Sequence, residues 1–381
     1  MNIAAVLKGY DLKKLTVGVL GGHSALDVCH GAKQAGFRTV CVARKGREKT
    51  YEKHYKVRGK GSDVRGCIDE VIVVNDFQDV LNADIQKKLQ KMNTIFVHNR
   101  YFWVYFDDFS KVENDFAVPI FGSRTLLKLE ERNQPFNQYD LLTKAGIRIP
   151  KIFKSPKDID RPVLVKAAEA KRGYERAFFI ATDAKSYEAT GSALEKEGKV
   201  SKNWREATIE EFIVGAPVNF NFFYSPLSGE LELLGTDTRR QTNLDGFLRM
   251  TADQQVLALK SVPLKMIETG HIACTVKESI LEKAFDLGEK FVKATQSLPK
   301  DLDPTGKGIV GPFALQGAVV AEDGREDIVI FDVSLRIPGS PGTAATPYSG
   351  YLYGQSMSVG ERVGIELRSA VKQKRLDEIL T

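Results

Sequence analysis

The sequence predicts an α/β fold at its amino-terminal end followed by α+β structure, on three observations. The run LTVGVLGGHSALDVCHGAKQAGFRTVCVARKG reads as strand, glycine turn, helix, turn and strand, a βαβ unit that implies a parallel sheet. Two late apolar runs, PFALQGAVV and DIVIFDVSL, flank the turn EDGRED and read as a hairpin. The runs between these two regions are short and strand-like with few helices, which suits a mostly antiparallel second part.

In chain order, Leu15 to Leu20 is the first strand, Ala25 to Ala35 a helix and Thr39 to Ala43 the next strand. Further strands are expected at Glu70 to Val74 and Thr94 to Val97, and VPIFG closes an α/β domain over residues 1–125. Glu130 to Ala145 reads as a helix that Gly146 and Pro150 stop. RPVLVKAAEAKRGYERAFFIA reads as a hairpin with a polar loop at its centre. Glu206 to Val214, Pro217 to Tyr224 and LELLG are strand-like, and Ile280 to Ala294 is a helix. The expected division is 1–125, 126–205 and 206–381.

At 381 residues and 42.3 kDa, with 43% hydrophobic and 27% charged residues, the chain suits a folded soluble protein with a substantial core. The net charge of +6 favours anionic ligands without selecting among them. Basic residues are dispersed and no recognition motif accompanies them, so nucleic acid is not expected as a partner. Cys29, Cys41, Cys67 and Cys274 lack metal-ligand or CxxC spacing and suit a reducing compartment. No apolar run suits a signal peptide or a membrane span, so a cytoplasmic location without membrane attachment is expected.

The stretch IVIFDVSLRIPGSPG places Asp332, Ser334 and Arg336 two residues apart. In a strand these polar side chains share one face, against the pattern of a buried core. Gln316, on the preceding strand, would reach the same magnesium ion as Asp332 if the two strands pair. Arg336 would then steady a transferring phosphoryl group.

Four other stretches offer binding groups. GGHSAL lies at a strand-to-helix turn, where amides, His23 and Ser24 could receive a phosphate; a glycine turn with a serine cap explains it equally. Lys166 ends the strand VLVK beside a loop holding Lys171, Arg172 and Gly173, which suits either ATP phosphates or a solvated hairpin tip. Glu210 and Glu211 could receive a ribose hydroxyl, or be surface acids before a strand. GTDTRRQTNLDG crowds Asp237, Arg239, Arg240, Asn243 and Asp245 into an expected loop, suited to a phosphorylated molecule or to a salt-linked turn.

Together with VPIFGSRTLLKLE, EEFIVGAPVNFNFFYSPL, GPFALQ and TPYSGYLYG, these segments resemble the ATP-grasp ligases. Within them the chain is most similar to the archaeal formate-dependent synthetases that make formylaminoimidazole carboxamide ribonucleotide in purine (IMP) biosynthesis. The resemblance spans nearly the whole chain. It implies an ATP-grasp fold with an amino-terminal parallel α/β domain, and ATP and Mg²⁺ as cofactors. The implied partners are formate and aminoimidazole carboxamide ribonucleotide, and the family permits a homo-oligomer.

By the same resemblance Arg336 and Lys166 act in catalysis, and Lys166, Lys171, Gly173, Glu211 and Ser334 bind ATP. His23, Ser24, Arg239, Arg240 and Asn243 would bind substrate, and Gln316 and Asp332 the metal. The implied reaction has formate attacking the γ-phosphorus to give formyl phosphate, which the ribonucleotide amine then attacks. The family pattern has glutamate where this chain has Gln316 and Asp332, and a more glycine-rich loop than AAEAKRGYE. The first change removes a charge, which keeps two alternatives in view: a ligase for another carboxylate and amine, or a nucleotide-binding homologue without catalysis.

Overall fold

The computed structural model describes residues 3–106, 108–132, 134–167, 177–262, 264–265, 267–322, 324–339 and 341–381. The first layer comprises β1 (Thr16–Leu20), α1 (Ala25–Gln34), β2 (Arg38–Arg44), β3 (Glu70–Val74), α2 (Ala83–Lys91), β4 (Thr94–Val97) and β5 (Ile120–Phe121). The strands are all parallel in the order β3-β2-β1-β4-β5. Every residue of TVGVL in β1 is buried, because helices or loops cover both faces of a parallel sheet. Strand order reverses at β1, so the glycine turn after it opens onto the crevice where such sheets hold ligands. Asn99, just after β4, spans that crevice: its Nδ2 donates to the carbonyls of Leu20 (2.9 Å) and Gly22 (3.2 Å).

The expected helix from Glu130 to Ala145 is shorter. A 3₁₀ turn covers Leu126–Glu130, the chain then breaks, and α3 spans Gln138–Lys144. Pro135 cannot donate within a helix, and Asn137 starts a new one by accepting from the Tyr139 amide at 2.9 Å while Asp140 reaches back. The break leaves Glu130, Arg132 and Tyr139 free to turn toward the later strands.

A small antiparallel sheet follows, formed by β6 (Ile152–Phe153), β7 (Val163–Lys166), β8 (Phe178–Ala181) and β9 (Ile209–Glu211) in the order β6-β9-β7-β8. The helix α4 (Ala184–Lys196) covers it. Trp204, Tyr187 and Phe179 form its core, and Gly191 admits the Trp204 ring, which a Cβ would meet at 2.2 Å. The hairpin expected around Lys166 is present, but Lys171, Arg172 and Gly173 lie outside the described residues.

The large sheet has β10 (Ala216–Ser225), β11 (Glu230–Gln241), β12 (Glu268–Cys274), β13 (Gly311–Glu322) and β14 (Arg325–Ser334) in the order β12-β11-β10-β13-β14, all antiparallel. The helix α5 (Glu278–Gln296) packs Phe291 and Ala284 into the core beneath it. β11 runs on through GTDTRRQ, so Asp237, Arg239 and Arg240 are strand residues and the expected loop begins only at Thr242. The cause is β12, which the sequence reading missed and whose ladder with β11 holds that stretch extended.

The last helix, α6 (Val359–Gln373), returns to the first layer. It crosses α1 so closely that a Cβ on Gly31 would lie 2.0 Å from the Gly360 carbonyl oxygen. The chain after residue 205 thus contributes to all three layers: β9 to the small sheet, β10–β14 to the large one and α6 to the packing on α1.

Candidate active site

The site lies where the three layers meet. A bulge on β14 prepares its floor. Gln316 stands opposite Asp332 but Gly317 stands opposite Ile330, so Phe331 is the extra residue. Ile328 and Ile330 enter the core before the bulge, and Val333 and Leu335 enter it after. Asp332, Ser334 and Arg336 therefore share the opposite face, as their spacing predicts. The bulged residue's carbonyl oxygen accepts a hydrogen bond from Lys166 Nζ at 3.1 Å.

The Lys166 side chain is buried, which excludes a solvated tip for that residue. Its ammonium pairs with Glu210 Oε1 at 2.6 Å and donates to the Tyr139 hydroxyl at 2.8 Å; the tyrosine in turn bonds Glu210. Burial and the nearby Arg132 cation lower the Lys166 pKa to about 8, against the pull of Glu210 and Asp332. Strand alternation turns Glu211 the other way. It pairs with Arg161 at 3.0 Å and accepts from the Lys151 amide, outside the Lys166 cluster.

Arginines hold the two expected metal ligands. Arg132 Nη2 lies 2.8 Å from Asp332 Oδ1, and Arg239 Nη2 lies 3.8 Å from Oδ2 and also donates to the Gln316 carbonyl oxygen. The Gln316 amide donates to Ser334 Oγ at 2.9 Å. Arg240, next along β11, points to the other face and is exposed. Asn243 is away from this cluster, a turn residue with φ of 40° whose side chain accepts from the Lys265 amide at 2.6 Å.

Arg336 is buried against Glu130, 3.3 Å away, and its Nε has no hydrogen-bond partner among the described residues. Burial raises the Glu130 pKa, while the Arg336 cation and the Leu335 amide oppose that rise.

A cavity continues from this floor to the β1 turn, lined by His23, Arg100, Asn219, Asn221, Arg239, Glu268, His271, Gln316, Ser334, Arg336 and neighbouring backbone. His23 sits at φ of 51°, exposed to the cavity, and Gly22 at φ of 155° lies against the Tyr101 ring, where a Cβ would clash at 2.0 Å. Ser24 stands at the N-cap position of α1 but its side chain caps no amide. Its hydroxyl donates to the Pro338 carbonyl at 2.7 Å and lies 2.9 Å from His23 Nδ1. Arg100 follows Asn99, and its guanidinium makes no hydrogen bond to the described residues.

Across the cavity, His271 is clasped between Asp237 and Glu268, the latter at 3.1 Å. Burial alone would lower its pKa, but the bonds to Asp237 and Glu268 prevail and raise it to about 9. Asp237 is fully buried and also accepts from Asn219 (2.8 Å) and Asn221 (2.6 Å). Sequence reasoning missed Arg100, Arg132, Tyr139, Asn219, Asn221, Glu268 and His271. A signal existed for the asparagines: NFNFF places two polar residues at alternate positions in an apolar strand, the same signature as Asp332 and Ser334.

A parallel α/β layer, a small antiparallel sheet bearing a buried lysine and a large sheet with a polar late strand together define an ATP-grasp ligase fold. Solved structures agree. A crystal structure of an IMP biosynthesis protein PurP from Thermococcus kodakaraensis matches with a TM-score of 0.68 and 25% identity, covering 96% of this chain and 100% of that one. The ADP complex of purK, N5-carboxyaminoimidazole ribonucleotide synthetase, matches in fold with a TM-score of 0.55 at 12% identity, over 91% of this chain and 78% of that one.

The chain belongs to the family of 5-formaminoimidazole-4-carboxamide-1-(beta)-D-ribofuranosyl 5'-monophosphate synthetases. The relative of that name from Methanothermobacter thermautotrophicus is 37% identical over 383 residues, covering 100% of this chain and 98% of its own. That from Methanopyrus kandleri is 34% identical over 381 residues, covering 100% and 99%. Two family models also match: a protein of unknown function (DUF1246) over residues 17–153 and a domain of unknown function (DUF1297) over residues 186–381.

Proposed function

We propose that the protein joins formate to the amine of 5-aminoimidazole-4-carboxamide ribonucleotide, using ATP and passing through formyl phosphate. The carrying observation is Lys166, which reaches from the small sheet to the Phe331 carbonyl on the polar face of β14. A phosphate chain laid between the two sheets would meet Lys166, Arg132, Arg239 and Arg336.

Phosphoryl transfer asks a protein mainly for positioning and charge. A formate oxygen attacks the γ-phosphorus as the bond to ADP breaks. Lys166 and Arg336 face the charge that this spreads over the phosphoryl oxygens. The amine then attacks the formyl carbon, and the carbon–oxygen bond to phosphate breaks. The ribonucleotide is assigned to the cavity between the turn Gly22 to Ser24 and Arg100, with Arg100 facing its phosphate, and Asn219 and Asn221 line the cavity beyond it.

Asp332 and Gln316 offer hard oxygen donors on neighbouring strands, a set that fits a magnesium ion arriving with phosphate oxygens. Arg132 and Arg239 occupy those donors in this structure. Among the described residues, no group of three His, Cys, Asp or Glu side chains is arranged for a metal. When bound, the ion neutralises phosphate charge.

The presence of Gln316 favours one second reading, a nucleotide-binding homologue without turnover. Incubation with Mg²⁺-ATP, formate and the ribonucleotide, each omitted in turn, separates the two. Formylated product and ADP that require all three support the ligase. Binding of ATP by a folded protein that makes neither product supports the second reading.

A further inference from the structure

We propose that His23 accepts the proton of the attacking amine through Nε2, and that Ser24 with the Pro338 carbonyl fixes the tautomer that frees this nitrogen. The proposal deepens the ligase reading and rests on it.

The argument is a chain of hydrogen-bond roles. A peptide carbonyl can only accept, so at 2.7 Å from the Pro338 oxygen the Ser24 hydroxyl spends its one proton there. Its oxygen must then accept from His23 Nδ1 at 2.9 Å, which requires the proton on Nδ1. Nε2 is left with a lone pair. The ring edge packs on Gly339, where a Cβ would lie 2.5 Å from Nε2 and displace it, and the exposed imidazole lines the cavity. Ser24 is a positioning residue, and the β1 turn supplies a base oriented before substrate arrives.

Loss of water around the ring, and then the neighbouring cations, favour the neutral imidazole. Arg100 comes from the turn after β4, Arg336 from the chain after β14, and His271 with Glu268 from β12. Crowding by protein and the Arg336 and Arg100 cations lower the His23 pKa well below its ordinary value, against Glu268. In the second half-reaction the amine nitrogen bonds to the formyl carbon, the carbon–oxygen bond to phosphate breaks, and the N–H proton passes to Nε2. The imidazolium then returns that proton to the departing phosphate, which balances the step.

Two measurements test this. Long-range ¹H–¹⁵N correlation spectra of histidine-labelled protein at pH 7.5, with His23 assigned by its loss in His23→Gln, should show a neutral Nδ1–H tautomer in the unliganded chain. Ser24→Ala should mix the tautomers. Rapid-quench kinetics should show formylated product slowed about 100-fold or more in His23→Gln, the range for losing a positioned base, with ADP release from ATP and formate retained. An Nε2–H tautomer, an imidazolium or unslowed product formation overturns the assignment of His23. If wild-type protein makes no formylated ribonucleotide, the ligase reading fails and takes the amine step with it.

Discussion

Gln316 and Asp332 stand directly opposite each other on β13 and β14, and Arg239 touches both. One position carries charge and the other does not, so a single guanidinium bridges an amide oxygen and a carboxylate. Restoring a second carboxylate with Gln316→Glu should strengthen magnesium binding. The expected result is half-maximal ADP formation at a magnesium concentration lower by about tenfold, within the 10- to 100-fold effect of tuning groups at metal sites. An unchanged magnesium titration would place position 316 away from the ion.

Asp332→Asn removes the one carboxylate at that position and leaves Arg132 without its partner at 2.8 Å. Turnover should fall about 100-fold, on the scale of losing one electrostatic support of a transition state. Near-normal ADP formation at limiting magnesium would remove Asp332 from the phosphate site.

Lys166 is charged below its pKa of about 8 and neutral above it in the free protein. Because kcat/KM reports the free enzyme, kcat/KM for ATP should decline as pH rises through about 8. Lys166→Met should abolish that limb and, by leaving Glu210 buried without its cation, cost about 3–5 kcal/mol in denaturant unfolding. A pH profile that stays flat to pH 9.5 would separate Lys166 from ATP.

His271 has a folded pKa raised from 6.5 to about 9, so its stabilising bonds are fully present below pH 6.5 and are lost as pH rises through about 9. His271→Gln should destabilise by about 1.5–3 kcal/mol at pH 6.5, the usual worth of hydrogen bonds to a charged group. The gap in Tm between variant and wild type should shrink toward pH 9.5. A gap independent of pH would show that the imidazolium is not what Asp237 and Glu268 hold.

Gly31→Ala places a methyl 2.0 Å from the Gly360 carbonyl oxygen, in the contact that binds α6 to α1. Overpacking of this kind costs about 1–3 kcal/mol. Thermal unfolding should show the loss, whereas an unchanged Tm would mean that the helices part without cost.

The early layer was legible because its signals are local. Apolar runs of strand length alternate with a helix and glycine turns, and neighbouring segments pair with one another. The alternation of Asp332, Ser334 and Arg336 was legible for the same reason, since side chains two apart share a face whatever the strand packs against. GTDTRRQ was misread as a loop because only its ladder with β12 makes it a strand, and β12 carries little local apolar signal. The helix expected from Glu130 was overextended because Pro135 lies inside the expected span and the helix starts only after Asn137, and Arg132 and Tyr139 went unseen with it.

By itself the sequence determined the order of strands and helices, the family and the polar face of the late strand, all properties of residues close together in the chain. Tertiary structure decided the rest. It chose Glu210 over Glu211 as the partner of Lys166, turned Arg239 inward and Arg240 outward, and brought Arg132 to Asp332 and Pro338 to Ser24. Those choices depend on strand register, on one bulge and on contacts between residues as many as 314 positions apart, which no local pattern encodes.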